Sequence, residues 1–307
     1  MDPHIAVLGA GAVGCYFGGM LARAGVPVTF IGRAPHVEAM TRDGLTINTA
    51  QFQARIPVSA TTSLEAARDA GIILYCVKTL DTETAIQALA PHLRHDAMVI
   101  SLQNGVDNVE RIRSATGIEA VPAVVYVAAQ MAAPGTVQHN GRGDLILGAD
   151  PQGLAPLFTA AGVPCRISSN IAADLWTKMI MNCAYNAMSA LGRCKYGRLI
   201  ENPLTRDLMR QVIEECVAVA GALGVSLSTP TLTGAAHKLG DVMSQAVSST
   251  AQDIARGKRT EIDSLNGYVV RRGSELGVPT PVNQSLHALV KLLEESESAR
   301  SANQAPQ

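Results

Sequence analysis

Residues 4–19 read HIAVLGAGAVGCYFGG: an apolar run, Ile5 to Leu8, turns directly into Gly9-x-Gly11-x-x-Gly14 and then into helix formers. In that order, strand first and helix after, the three glycines play separate parts. Gly9 makes a tight turn, Gly11 lets the backbone approach a pyrophosphate closely, and Gly14 allows tight helix-on-strand packing. Gly-rich turns arise by chance among 27 glycines, so the flanks carry the weight. Ile5 to Leu8 is short and apolar, as a strand buried on both faces should be, and Ala12 to Ala24 stays helical in composition up to Gly25, a suitable C-cap. The setting predicts that the loop of Gly9, Ala10, Gly11, Ala12, Val13 and Gly14 holds a dinucleotide.

The next strand-like run, Val26 to Ile31, ends in Gly32-Arg33, about where this fold places the group that reads the adenosine ribose. An acidic residue there favours NAD, whereas a guanidinium suits a 2'-phosphate as an always-charged, bidentate donor. Arg33 therefore points to NADP(H); a solvated arginine at a strand end is the plain alternative.

Beyond Arg33, a β-like stretch from Gly44 to Val58 precedes Ser63 to Ala70, helical in composition, and then the strand Ile72 to Val77. Leu80 to Leu93 repeats helical spacing before the strand Ala97 to Ser101. This alternation predicts a parallel, doubly wound α/β sheet of Rossmann type. Strand-like segments at Val121–Ala129, Thr136–His139 and Leu145–Leu147, separated by Pro134-Gly135 and Gly141-Arg142-Gly143, suggest antiparallel additions at the end of the sheet. From about Asn170 the pattern turns helical: Ile171 to Ala190, Leu204 to Leu223, Thr231 to Asp241, Met243 to Leu276 and, past Pro279 and Pro281, Val282 to Glu295. The expected organisation is an NADP-binding domain over 1–169, an all-helical substrate and catalytic domain over 170–295, and a polar tail, 296–307, expected to be disordered.

With 307 residues, 47% of them hydrophobic and 17% charged, the chain can fill two cores. A net charge of −1 offers no field for nucleic acid and no polybasic segment for an anionic membrane. The expected partner is a small molecule or a second copy; the long apolar helices could bury a homodimer interface or one another. Six cysteines show no C-x-x-C pair and no metal-ligand spacing, so no metal is expected, and they read as buried hydrophobes in a reducing compartment. His92 and His95 lack a third ligand and read as surface residues. No basic n-region opens the chain, and no apolar run approaches the roughly 20 residues of a spanning helix. A cytoplasmic protein is expected.

Lys178, Asn182 and Asn186 recur at i, i+4 and i+8 and so share one face of a helix whose remaining surface is almost all apolar. Such a stripe lacks the charge of a solvent side, and an unsatisfied buried polar group costs about 1–3 kcal/mol. Either a polar substrate in an interdomain cleft supplies the partners, or the asparagines bridge neighbouring helices while the lysine reaches water. A second stripe, Ser249, Asp253 and Glu261, would share a face if Gly257 does not break the helix, and its carboxylates could orient Lys178 and keep it charged. Lys78 and Asn104 follow the strands Ile72–Val77 and Met98–Leu102, at the carboxyl ends where open α/β sheets bind ligands. For Asn104-Gly105 a simple turn is the alternative.

Taken together, GAGAVG, Val77-Lys78-Thr79, Gln103-Asn104-Gly105, Leu175-Trp-x-Lys178-x-x-x-Asn182-x-x-x-Asn186, Ser249-x-x-x-Asp253 and Glu261-Ile-Asp263-x-x-Asn266-Gly267 resemble the ketopantoate reductase (2-dehydropantoate 2-reductase) family, in its order and over nearly the whole chain. The resemblance implies a Rossmann domain followed by a helical domain of the 6-phosphogluconate dehydrogenase C-terminal type, using NADPH to reduce a branched 2-oxo acid in pantothenate synthesis. It implies Lys178 as the general acid that protonates the forming alkoxide, Glu261 orienting it and adjoining the cofactor, and Asn182, Asn186, Ser249 and Asp253 on the substrate. It implies Arg33 and Lys78 on the 2'-phosphate and Asn104 between cofactor and substrate, and gives no role to any cysteine or histidine. Asp241 to Val247 follows no family pattern, and Ala251 stands where a larger apolar residue is usual. A different 2-oxo acid, or a non-catalytic NADP-binding regulator, is therefore the alternative.

Overall fold

β1 (Ile5–Leu8) forms because its side chains are apolar at every position and are buried on both faces. The structure, a computed structural model, describes residues 4–150 and 152–304. After β1 come α1 (Ala12–Arg23), β2 (Val28–Ile31), α2 (Ala34–Asp43), the hairpin β3 (Leu45–Asn48) and β4 (Gln53–Ile56), β5 (Ser59–Thr61), β6 (Ile72–Tyr75) and α3 (Thr82–Leu89). They are followed by β7 (Met98–Ser101), α4 (Asn108–Thr116), β8 (Val121–Ala133), β9 (Thr136–Leu147), α5 (Leu154–Ala160) and β10 (Cys165–Ile167). Short 3₁₀ turns lie at Leu64–Asp69, Thr79–Asp81 and Ala90–His92.

The strands β5-β2-β1-β6-β7-β8 pair in parallel in that spatial order. This is the doubly wound order, with its switch point between β1 and β6. One face, with Ile5, Val7, Phe30, Ile72 and Leu74, packs on Phe17, Met20 and Leu21 of α1; the other, with Ala6, Leu8, Ile73 and Tyr75, packs on Ile86 and Leu89 of α3 and Ile112 of α4. As the sequence predicts, the sheet ends in antiparallel additions, β8 on β9 and β3 on β4. The expected break at Gly141-Arg142-Gly143 does not occur. β9 runs through it as one strand, and register shifts against β8 absorb the extra residues as bulges, with Arg142 at φ +54°.

Contacts divide the chain into Met1–Ile171 and Ala172–Gln307. The second unit holds α6 (Ile171–Leu191), α7 (Tyr196–Glu201), α8 (Pro203–Ala222), α9 (Thr229–Val242), α10 (Ser249–Ala255), a 3₁₀ turn at Ile262–Ser264, α11 (Asn266–Leu276) and α12 (Pro281–Gln304). Side-chain caps start three of these helices: Asn202 accepts from the Leu204 amide, Ser228 from Thr231 and Ser248 from Ala251. α6 is sunk into this unit, with Met179, Ile180, Cys183, Ala184 and Ala187 almost without exposure.

Two further expectations fail. Met243 to Leu276 is not one helix: α10 stops at Ala255, Gly257 takes φ +62°, and the Lys258 amide turns back to the Asp253 carbonyl at 2.8 Å. A left-handed residue that only glycine adopts cheaply ends the helix, so Glu261 does not share a helical face with Ser249 and Asp253. The tail also differs, since α12 continues to Gln304. The run after Glu295 contains no proline or glycine to stop a helix before that point, and Glu297 pairs with Arg193 at 3.0 Å. Residues 305–307 of the expected tail lie outside the described residues. Among the described residues no helix is long and apolar enough to cross a membrane, and no group of three or more His, Cys, Asp or Glu is placed to hold a metal ion.

Candidate functional site

The first constellation gathers at the switch point. Gly9 sits at φ +104°, and a Cβ there would lie 2.7 Å from the Cys76 carbonyl carbon and oxygen. The turn after β1 thus lies directly against the chain leaving β6. At Gly14 a Cβ would lie 2.2 Å from the Gly9 oxygen and 2.8 Å from Val7 Cγ1, so the absence of a side chain lets α1 sit down on β1. Gly11 differs from both: it is the N-cap of α1 with ordinary extended φ, is exposed, makes no side-chain cap, and nothing lies within 4 Å of where its Cβ would be. Open space before an uncapped helix N-terminus with a partial positive charge fits a pyrophosphate. Ala10 packs against Gly32, whose Cβ would come within 2.6 Å of the Ala10 Cβ, and this joins the glycine loop to the end of β2.

Arg33 is the exposed N-cap of α2, next to that junction. Lys78 precedes the 3₁₀ turn after β6, and Asn104 follows β7, so both stand at carboxyl ends of neighbouring strands on one side of the switch point. The Asn104 carbonyl accepts from Thr79 Oγ1 at 2.9 Å and from Asn108 Nδ2 at 2.7 Å. Burial pushes the nearby Cys15 thiol up to about 12 and raises Cys76 as well, which keeps both as neutral thiols.

The second constellation lies on α6. Lys178 and Asn182 are half-buried, and Asn186 is 3% exposed. No side-chain hydrogen bond within the described residues engages the amide of Asn182 or Asn186. The bridging alternative for these asparagines therefore finds no contact to support it. The Ser248 hydroxyl donates to the Asn186 carbonyl at 3.2 Å, and the Ser248 amide donates to Ser189 Oγ at 3.3 Å, so the start of α10 is docked on the same stretch of α6. Ser249 follows, exposed, with the half-buried Asp253 one turn on. Glu261 stands apart from that helix, at the start of the Ile262–Ser264 turn.

The Glu261 segment is held from α12. Glu294 Oε1 accepts from the Thr260 amide at 2.7 Å, while Asp263 meets His287 at 2.8 Å, Lys291 at 3.1 Å and Arg259 at 3.2 Å. Burial raises the Asp263 pKa, but hydrogen bonds from His287, Lys291 and Arg259 together outweigh it and hold the carboxyl at about 2. Sequence reading missed this anchoring set, and it also missed Ser248, Ser189, Gln103 and Asn108 as parts of the site. Gln103 and Thr79 stand within the motif strings themselves; their burial was the missing signal.

The sequence pattern of the ketopantoate reductase PanE/ApbA family matches residues 5–152, and that of the family's C-terminal part matches residues 170–294. A 2-dehydropantoate 2-reductase from Pyrococcus abyssi is 33% identical over 294 residues, covering 94% of this chain and 96% of that protein. A PanE/ApbA family ketopantoate reductase from Ralstonia eutropha JMP134 superposes with a TM-score of 0.92 at 49% identity over 96% of this chain and 99% of that one. A D-mandelate dehydrogenase in a ternary structure with NADH and anilino(oxo)acetate superposes with a TM-score of 0.89 at 25% identity, over 96% and 99%. Strand order, glycine loop and α6 stripe thus occur together in a sequence matched along both of its units, and the chain belongs to the ketopantoate reductase family.

Proposed function

We propose that this chain reduces 2-dehydropantoate to (R)-pantoate with NADPH. The observation that carries the reading is the α6 stripe: an almost fully buried Asn186 and a half-buried Asn182 without side-chain partners, on the same face as Lys178. Side-chain amides that reach open space on an otherwise apolar helix face, with no partner within the protein, suit a polar ligand. A branched oxo acid with a hydroxyl and a carboxylate offers groups of the matching kind.

In this reading NADPH supplies the hydride. Gly9 to Gly14 hold the pyrophosphate, Arg33 and Lys78 neutralise the 2'-phosphate, and Asn104 adjoins the nicotinamide side. Lys178 Nζ gives its proton to the substrate oxygen as the keto carbon is reduced, and its charge stabilises the negative charge that develops there. Asn182, Asn186, Ser249 and Asp253 orient the acid, and Glu261 orients Lys178 and adjoins the cofactor. No cysteine or histidine takes part.

The likeness to a D-mandelate dehydrogenase favours a second reading, the same chemistry on another 2-oxo acid. The test is loss of NADPH absorbance with purified protein and ketopantoate, beside pyruvate, 2-oxoisovalerate and benzoylformate. Turnover confined to ketopantoate supports the first reading, and turnover only of another acid supports the second. Tight NADPH binding with no turnover of any of the four acids would reject the first reading and bring the regulator forward.

A further inference from the structure

Gln103 is the buried link between the strand ends that carry Lys78 and Asn104. It lies just past β7, is 5% exposed, and satisfies both ends of its amide. Nε2 donates to the Val77 carbonyl at 3.1 Å and to Thr82 Oγ1 at 2.8 Å, while Oε1 accepts from Ser101 Oγ at 2.9 Å. Val77 immediately precedes Lys78. The Thr82 hydroxyl donates onward to the Thr79 carbonyl at 2.8 Å, and the Thr79 hydroxyl donates to the Asn104 carbonyl at 2.9 Å. The chain of bonds therefore leaves the residue before Asn104, crosses to both sides of Lys78, and returns to Asn104 itself.

The ring is braced from outside. Tyr75 OH donates to the Thr82 carbonyl at 2.7 Å, and Arg111 forks onto Glu83 with two contacts of 2.6 Å, tying α4 to α3. Five polar side chains, Thr79, Thr82, Ser101, Gln103 and Asn108, meet at this buried spot. An apolar filling would cover it at less desolvation cost, whereas a fully satisfied network fixes one arrangement. Among side chains of this length, only glutamine brings two donors and an acceptor, and glutamate would turn a carboxylate oxygen toward the Val77 carbonyl.

We propose that Gln103, acting with Thr82, is a positioning residue that locks the Val77–Thr79 and Asn104–Gly105 segments in one register, so that Lys78 and Asn104 meet the nucleotide together. The proposal rests on the assignment of Lys78 and Asn104 to the nucleotide site made above.

The experiment measures NADPH affinity by fluorescence titration without oxo acid, for Gln103→Met, Thr82→Val, Thr82→Ser, Lys78→Ala and the double variant Thr82→Val with Lys78→Ala. Thr82→Val keeps the shape and removes only the hydroxyl, so folding is checked beside it by melting temperature. Loss of these buried hydrogen bonds should weaken NADPH about tenfold in Gln103→Met and Thr82→Val, and Thr82→Ser should restore affinity to within about twofold. In the Lys78→Ala background the Thr82→Val penalty should shrink to below about threefold, because the charged one of the two groups it positions is gone. A full penalty in that background, or NADPH binding unchanged in Gln103→Met and Thr82→Val, overturns the proposal and leaves the network as mere packing. Unchanged binding in Lys78→Ala alone overturns the Lys78 assignment and the proposal with it, and that failure is told apart because it appears in the single variant.

Discussion

Two sets of asparagines in the helical unit meet opposite circumstances. Asn266 and Asn283 are fully buried and tie elements together through their amide nitrogens: Asn266 Nδ2 donates to Asn283 Oδ1 at 2.9 Å and to the Cys183 carbonyl at 3.3 Å, while its own Oδ1 has no partner, and Asn283 Nδ2 donates to Glu215 at 2.7 Å. Glu215 in turn accepts the Val282 and Asn283 amides at 2.8 and 2.9 Å, capping the start of α12 from α8. Asn182 and Asn186, on α6 in the same unit, have no such side-chain partners. The first set ties elements of the unit together; the second makes no such tie. Residue type cannot separate them, since all four are helical asparagines, and the inventory of partners does.

The comparison breaks most visibly at Lys178, which shares the face of Asn182 and Asn186. Lys178→Ala should lower turnover by about 10²–10⁴-fold while NADPH affinity stays within about twofold, as loss of a general acid does; steady-state rates beside a nucleotide titration decide it. Asn283→Ala should do the opposite. It should cost about 1–3 kcal/mol of stability in denaturant unfolding, because buried partners lose their bonds, with little change in the affinity of the intact protein for NADPH.

The nucleotide loop repeats the contrast between filled and open space. Gly14→Ala drives a Cβ into the Gly9 carbonyl and should destabilise by about 1–3 kcal/mol. Gly11→Ala meets nothing in the protein, so melting should be unchanged while NADPH binding weakens about tenfold, the new methyl standing where the pyrophosphate approaches. The smallest effect belongs to Asp263. Its folded pKa of about 2 lies below the ordinary aspartate value of about 3.9, so its contribution to stability is present at neutral pH and is lost as pH falls between those values. Asp263→Asn should lower the neutral-pH Tm by a few degrees and flatten its decline over about pH 4 to 2; calorimetry across that range checks it.

Much of this was legible in the sequence, for definite reasons. The strand, glycine turn and helix of residues 5–24 are local, so spacing alone exposes them, and the 3.6-residue period of α6 placed Lys178, Asn182 and Asn186 on one face. What failed depended on backbone geometry that composition leaves open. Gly141 to Gly143 punctuates like a turn yet is absorbed as bulges within β9, and Gly257 could have been carried within a helix but takes a left-handed angle that ends one. The Gln103 ring and the cap from Glu215 to α12 join residues far apart in sequence, and no local pattern marks them.

The central claim is that the α6 amides are reserved for substrate, and Asn186→Ala tests it most directly when ketopantoate kcat/KM and melting temperature are measured on the same preparation. The account predicts kcat/KM lower by about 10–100-fold at a melting temperature equal to or above that of the unaltered protein, since the side chain removed has no hydrogen-bond partner within the protein. A lowered melting temperature with kcat/KM unchanged would contradict it and make Asn186 another Asn283.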